Sequence, residues 1–193
     1  MKRFSSSILL LLISFSLLGQ VKDEKEIRIP ASAFPEDALQ LLSQLPENTK
    51  RLKYFKETDS SKTSFEAKFK YNRKRFSVEF TEDGILEDIE VIWKLKEIDQ
   101  ETNRNIIDYY EANFERHKLI KLQKQYKNVS DIGLNEVMQN ALQNKQHTPI
   151  FYEIIAEVKT KEKRVIKEFT FNRSGHYISS RILKPSSYEH ILY

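Results

Sequence analysis

Residues 65–84 read FEAKFKYNRKRFSVEFTEDG, and this stretch decides the predicted fold. Apolar and charged residues alternate over 65–71 and again over 76–80, which is the period of a β-strand with one buried side. A polar segment at 72–74 separates the two runs, and Asp83-Gly84 offers the positive φ that a tight turn needs. The stretch therefore predicts an antiparallel hairpin with one buried side and one side that faces solvent.

The ending of this hairpin, FTEDG at 80–84, has a counterpart in FNRSG at 171–175. Working outward, apolar stripes predict a helix over 33–45 and a second helix that begins at Asp99 or Thr102, and each is followed by strand-like runs. We therefore expect an α+β protein built from two tandem repeats of a helix followed by a curved antiparallel sheet. The repeats cover 30–98 and 99–193, and the second contains an insertion at 127–148 with an extra amphipathic helix.

Each predicted repeat needs the other to bury its apolar side, so the duplication favours one small molecule made of two related halves. The pattern leaves open whether the halves form one sheet or separate lobes. A chain of 193 residues is long enough for a substantial core.

The N-terminal residues predict the compartment. Lys2 and Arg3 precede an apolar segment at 8–18, which is the pattern of a signal peptide over 1–19. This segment is too short for a stable membrane span, so we expect none after cleavage, with residues 20–29 as a mobile lead-in. The predicted location is the periplasm or the exterior of a bacterial cell. The sequence contains no cysteine, which excludes disulfides and a cysteine-linked lipid.

Charge argues against a nucleic-acid partner. Lys+Arg total 32 and Asp+Glu total 28, and the formal charge of +4 falls to +2 when Lys2 and Arg3 leave with the signal peptide. A nucleic-acid-binding chain typically carries a strong basic excess.

The sequence predicts no catalytic, cofactor-binding or metal-binding residue. Its four histidines do not form a His-Glu-x-x-His motif, and it has neither a Gly-x-Ser-x-Gly elbow nor a glycine-rich phosphate loop. The adjacent acids at 82–83 and 87–88 are expected on a solvated rim, because acid-base catalysis needs two carboxylates with separated pKa values.

Two basic hairpin tips are the candidate contact residues. The first tip contains Arg73, Lys74 and Arg75, and the second contains Lys161, Lys163 and Arg164. Trp93 is a further, aromatic candidate. Paired basic tips suit an anionic partner surface, and exposed tryptophan is favoured at interfaces. The alternative is that the lysines keep sheet edges soluble and that Trp93 belongs to the core.

Several of these segments resemble the PepSY-like group of bacterial exported proteins, which is related to the β-lactamase-inhibitory-protein fold. The resemblance rests on PASA at 30–33, the helix that ends before Pro46, and FSVEFTEDG at 76–84. Tyr152-Glu153 and 171–175 resemble a second copy. The resemblance implies a curved antiparallel sheet with helices on one face, and a role in binding or inhibiting protein rather than in chemistry.

The function expected from these features is that of an exported, non-enzymatic binding module for an unidentified envelope or secreted protein, which it modulates or inhibits. One alternative is a carrier of a small apolar ligand or lipid, held between the helices and the sheet. Another is an enzyme whose acid-base pair comes from residues far apart in sequence. The oligomeric state stays open.

Overall fold

The computed structural model describes residues 21–22, 24–59, 62–128, 133–145 and 150–184. The strands in these ranges are β1 (Val21–Lys22), β2 (Glu24–Ile29), β3 (Lys50–Asp59), β4 (Lys62–Tyr71), β5 (Lys74–Thr81), β6 (Leu86–Ile92), β7 (Arg116–Lys127), β8 (Ile150–Lys159), β9 (Arg164–Asn172) and β10 (Tyr177–Leu183). The helices are α1 (Glu36–Leu42), α2 (Gln100–Asn113) and α3 (Leu134–Leu142), with short 3-10 turns at Ala31–Ala33 and Leu95–Glu97. The predicted signal peptide, His147 and the tail from residue 185 lie outside the described residues.

All ten described strands belong to one sheet, in the order β1-β10-β9-β8-β7-β6-β5-β4-β3-β2. From β2 to β10 the nine strands pair antiparallel in chain order, because short turns and helical connections return the chain to the neighbouring position. The short β1 pairs in parallel with β10.

The prediction of two tandem helix-plus-sheet repeats is wrong. β6 and β7 pair from Asp88↔Lys127 to Ile92↔Gln123, so the ladder continues across the predicted boundary at residue 98. The core is also shared across it, because Tyr126 and Ile150 pack with the residues of β4, β5 and β6. The molecule is one continuous, mainly antiparallel sheet, and neither predicted half has a sheet of its own.

The helix predicted within 127–148 is present as α3, but it is not an addition to a separate second repeat. α3 packs on β6 and β7, which lie on the two sides of the predicted boundary. Val137, Met138 and Ala141 enter the same core as α1. This helix therefore ties the two parts of the chain together.

The predicted lead-in at 20–29 contains a strand. β2 occupies Glu24–Ile29 and pairs antiparallel with β3, from Glu24↔Asp59 to Ile29↔Tyr54. The first helix is shorter than predicted, since α1 spans Glu36–Leu42 and follows a 3-10 turn.

The three described helices contact apolar side chains of the sheet that share one face. α1 and α3 cover β4, β5 and β6, and α2 covers β8 and β9 through Ile106 and Tyr110. Trp93 is half-buried between these two parts of the core. Because side chains alternate along a strand, the remaining side chains of each strand lie on the opposite face of the sheet.

Candidate binding site

The face of the sheet opposite the helices is the polar face. Strand alternation places a band of ionisable and amide side chains on it, because these residues alternate with those of the core. The register aligns them in neighbouring strands as Glu26, Glu57, Glu66, Lys68, Ser77, Glu79, Asp88, Glu90, Gln123, Gln125, Glu153, Glu168 and Arg181.

The sheet rolls toward this polar face. Arg181 Nη1 in β10 lies 3.9 Å from Asp59 Oδ2 in β3, although these strands lie near opposite ends of the strand order. A cavity of about 50 Å³ inside the roll is lined by residues from both ends, including Glu24, Glu57 and Leu183. We call this space the inner cavity.

Rolling explains why charged side chains are buried there. The alternation at 65–80 predicted that Glu66 faces solvent, and the acids at 87–88 were expected on a solvated rim. Glu66 is only 5% exposed and Asp88 only 8%, so both predictions are wrong. A strand pattern shows that a face is polar but does not show whether the sheet curls around it.

One buried acid cluster contains Glu26, Glu57 and Glu66, and Lys68 neutralises part of it. Lys68 Nζ lies 2.8 Å from Glu66 and also bonds Glu26, while the Ser77 hydroxyl donates to Glu66. Burial opposes the charge of Lys68, but Glu66 and Glu26 hold the pKa of Lys68 above its ordinary value. Burial, reinforced by Glu66, raises the pKa of Glu57 far above its ordinary value. The cluster therefore contains both an ion pair and a carboxyl, that of Glu57, whose charged form is disfavoured by burial.

A second buried acid cluster contains Glu79, Asp88 and Glu90. Glu79 and Asp88 are direct cross-strand partners, and one carboxylate oxygen from each of the three residues lies within 4.8 Å of the others. Gln125 Nε2 donates to Asp88 Oδ2 at 3.0 Å, and Gln123 donates to Glu90. Burial, then the nearby Glu79 and Glu153, raises the pKa of Asp88 well above its ordinary value.

A larger cavity of about 660 Å³ opens next to the inner cavity, and we call it the basic cavity. The residues that line both cavities lie at their junction and are Glu26, Glu66, Lys68, Glu90, Lys121 and Gln123. The remaining charged residues that line the basic cavity are the cationic Arg51, Lys53, Lys70 and Arg75. Basic side chains thus surround one end of a polar groove whose other end is acidic.

Arg51 is the one described residue lining the basic cavity whose backbone lies in the left-handed region. Its φ is 59°, in the left-handed region that disfavours a side chain, at the register shift between Lys50 and Lys53. Arg51, together with Arg75, lowers the pKa of the neighbouring Lys70. Backbone strain and crowding of like charges are features that concentrate at functional sites.

The first predicted hairpin tip contributes to this cavity only in part. Arg75 and Trp93 line it, but Arg73 and Lys74 do not. Arg73 is exposed in the turn after β4. Lys74 Nζ lies 3.6 Å from the ring centroid of Trp93 and 2.8 Å from Glu97 Oε1.

The second predicted tip is elsewhere. Lys161, Lys163 and Arg164 are exposed in and beside the β8–β9 turn, and Arg164 pairs with Glu157 at 3.1 Å. Both tips lie at the same end of the strands, four strand spacings or about 19 Å apart when followed along the sheet. The structure therefore does not join them in one pocket.

Sequence reasoning missed Arg51, Lys53 and the buried acids. The available signal was the charge on alternating positions of β3, β4 and β5. The sequence alone could not show that these strands lie side by side around a cavity.

Comparison with known proteins gives the fold a context. No family model matches the chain, and no curated protein matches it. The chain is similar to the crystal structure of a DUF2874 family protein from Bacteroides ovatus ATCC 8483, with a TM-score of 0.51 and 9% identity over 77% of this chain and 86% of that chain. It is also similar to a protein from Bacteroides eggerthii DSM 20697 that is described provisionally as periplasmic, with a TM-score of 0.50 and 12% identity over 77% and 88% of the two chains.

Among the described residues, no helix is long and apolar enough to cross a membrane. The identities to the two crystal structures are low, so the likeness establishes the fold and leaves function to the chemistry of the site. That fold is one mostly antiparallel sheet with helices, shared with a protein described provisionally as periplasmic.

Proposed function

We propose that this chain is an exported, non-enzymatic binding protein that recognises an acidic segment of an envelope or secreted protein and thereby modulates or inhibits it. The observation that carries the proposal is the basic cavity, with six cationic and three acidic side chains around a volume of about 660 Å³. Pockets of this size are large enough to enclose side chains or a short segment of a partner.

Electrostatics supports an anionic group as the part recognised. Arg51, Lys70 and Arg75 repel one another, as the lowered pKa of Lys70 reflects. A carboxylate placed among them removes this repulsion, and arginine can bind it with two parallel hydrogen bonds. The apolar Phe55 and Ile92, which also line the cavity, supply contact area beside the charges.

The distribution of apolar residues favours a protein segment over an apolar ligand. The carrier alternative requires space between the helices and the sheet, whereas Phe80, Ile89 and Val137 fill that region. The cavity instead opens on the polar face, where an apolar molecule would have to displace the water of several charged groups.

Export is part of the proposal and is supported by two observations. Residues 1–19 have the pattern of a signal peptide. One of the similar crystal structures belongs to a protein described provisionally as periplasmic. The proposed location is therefore the periplasm or the exterior of a bacterial cell.

Binding of a labelled poly-glutamate peptide to residues 20–193 tests the recognised chemistry. We expect fluorescence anisotropy to show saturable binding that weakens as salt is added, because salt screens the attraction. Replacing both Lys70 and Arg75 by glutamine should weaken it roughly tenfold, since two cationic contacts are lost. Replacing Lys161 and Lys163 by glutamine is the matched control, with the same charge change on the other tip.

Equal weakening in the two double variants would rule out the basic cavity as the specific site. The partner is then sought by immobilising the wild type and both variants and passing detergent-solubilised envelope extract over them. An envelope protein retained by the wild type and the control, but not by the Lys70/Arg75 variant, supports the proposal. A small molecule that co-purifies with the chain, with no protein retained, favours the carrier instead.

A further inference from the structure

The interior of the rolled sheet has a large excess of acidic groups. The inner cavity is lined by the carboxyl groups of Glu24, Glu26, Glu57, Glu66, Glu79, Glu90, Glu153 and Glu168, with Lys68 and Lys121 as its only lining cations among the described residues. Lys68 bonds Glu26 and Glu66, and Arg181 bonds Glu168. At the second acid cluster of Glu79, Asp88 and Glu90, Lys127 is the cross-strand partner of Asp88 and offsets part of the negative charge around it.

Two buried oxygens at this second cluster have no hydrogen-bond partner among the described residues. They are Asp88 Oδ1 and Gln125 Oε1. Both side chains are more than nine-tenths buried, with Asp88 8% and Gln125 6% exposed. The bond from Gln125 Nε2 to Asp88 Oδ2 holds the Gln125 amide against the cluster. Such oxygens are rarely left without a partner in a protein interior, so they indicate a missing positively charged or hydrogen-bonding group.

The spacing of the carboxylates matches the dimensions of a calcium site. Ca²⁺ binds oxygens at about 2.3–2.6 Å, so two ligands on opposite sides of the ion are at most about 5 Å apart. The three carboxylate oxygens of the cluster lie within 4.8 Å of one another. Mg²⁺ requires oxygens at about 2.0–2.1 Å in a strict octahedron, and Zn²⁺ prefers nitrogen and sulfur, so both fit this set less well.

The surroundings provide further ligands. Gln125 Oε1 is an amide oxygen of the kind that calcium accepts. Glu79 and Glu90 also line the inner cavity, whose volume of about 50 Å³ has room for a water that could complete the coordination.

We propose that Glu79, Asp88 and Glu90, assisted by Gln125, bind one calcium ion inside the rolled sheet. The ion removes the repulsion between the cross-strand partners Glu79 and Asp88 and supplies the contact that Asp88 Oδ1 lacks. Its position between β5, β6 and β7 makes it a structural ion that stabilises the centre of the sheet. This site is independent of the anion recognition proposed for the basic cavity.

The test uses residues 20–193, treated with a chelator and then transferred to chelator-free buffer at neutral pH. We expect equilibrium dialysis against radioactive CaCl2 to show one ion bound per chain. We also expect the melting temperature to rise by roughly 5 °C at a calcium concentration about 100 times the dissociation constant, because the ion binds the folded state. The same concentration of MgCl2 should have a much smaller effect.

Asp88→Asn keeps the shape of the side chain and removes its charge. This variant should fold at least as stably as the wild type in chelator, since a buried repulsion is lost, but should neither bind calcium nor respond to it. Asp83→Asn is the matched control, because Asp83 is exposed in the turn that joins β5 to β6. It should bind calcium like the wild type.

Failure of the wild type to bind calcium would overturn the proposal, and so would an Asp88→Asn variant that binds calcium as the wild type does. An equal response to magnesium would overturn the assignment of calcium. If Asp88→Asn does not fold, Glu90→Gln provides the same comparison through a second ligand. Binding by the wild type and the control, combined with loss in either of these two variants, supports the site.

Discussion

At the scale of single residues, Gly175 shows how one missing side chain holds a helix against the sheet. Its φ is +79°, and a Cβ atom there would lie 2.4 Å from the carbonyl oxygen of Thr102 in α2. The flanking turn is bonded to the same helix, since Asn105 Nδ2 donates to Ser174 O at 2.8 Å. Any larger residue must therefore strain the turn and push α2 away.

We predict that Gly175→Ala lowers the free energy of unfolding by at least about 2 kcal/mol, through strain at positive φ and the clash with Thr102. Urea unfolding of the mature chain measures this loss. Gly133→Ala is the control, because a Cβ at Gly133 meets no atom of the described residues within 4 Å; as Gly133 is the N-cap of α3, this change should cost no more than about 1 kcal/mol. Similar losses in the two variants would show that the contact with Thr102 is not responsible.

The sequence predicted some of the residues with positive φ and not others. Gly84 and Gly175 were recognisable as turn residues, and both have positive φ. Arg51 also has positive φ, but arginine gives no local signal for it. Its conformation comes from the register shift between β3 and β4, which depends on the pairing of whole strands.

At the scale of elements, α2 begins with a clear cap. The Asp99 side chain accepts a hydrogen bond from the backbone N–H of Thr102 at 2.9 Å. This bond lowers the pKa of Asp99 below its ordinary value of 3.8. The sequence identified Asp99 as a possible start of the helix because aspartate is a preferred N-cap.

We predict that Asp99→Ala lowers the free energy of unfolding by about 1 kcal/mol at neutral pH. The difference from the wild type should shrink as pH falls through the lowered pKa of Asp99, because protonation removes the charged acceptor while the stabilisation is fully present above 3.8. Chemical unfolding at neutral and acidic pH measures both effects. Asp108→Ala, in the exposed middle of α2, should be neutral or slightly stabilising; a loss there equal to that of Asp99→Ala would contradict the capping role.

Most strands were predictable because their alternation is strong, but β2 was not. In EKEIRI at Glu24–Ile29, the apolar Ile27 is exposed, with 59% of its surface accessible, whereas Glu26 is partly buried and lines the inner cavity. Sequence rules assume that the apolar side of a strand is the buried one. Strand β2 reverses that rule, because its inward side meets the acids and Lys68 of the rolled sheet.

At the scale of the whole molecule, Arg181 links the two ends of the sheet. Its guanidinium bonds the buried Glu168 and approaches Asp59 of β3. Burial opposes its charge, but Glu168 holds the pKa of Arg181 above its ordinary value. The residue therefore neutralises interior acid and also joins distant strands.

We predict that Arg181→Met lowers the free energy of unfolding by about 2 kcal/mol, because Glu168 remains buried without this partner. Arg164→Gln is the control. It removes an ion pair with the exposed Glu157 and should cost less than about 0.5 kcal/mol. Unfolding is measured with urea at low salt, because guanidinium chloride is itself a salt and would screen these charges. Equal losses of unfolding free energy in the two variants would show that the contacts of Arg181 contribute no more than an exposed ion pair does.

The way in which the strands and helices assemble could not be predicted from the sequence. Local patterns identified strands on both sides of residue 98, but the pairing of β6 with β7 depends on contacts that no local period encodes. The candidate sites were missed for the same reason, since Glu66 and Asp88 look like solvated residues until the sheet rolls around them.

The pairing of β1 with β10 has a consequence for the order of folding. Val21 and Ile182 are neighbours in the sheet although about 160 residues separate them in the chain. A hairpin such as β4–β5 can form as soon as its turn is made, but this parallel ladder must wait until almost every other strand is in place. Contacts of such long range slow folding. We therefore expect the β1–β10 pair to be the last part of the sheet to form and the first to separate when the protein unfolds.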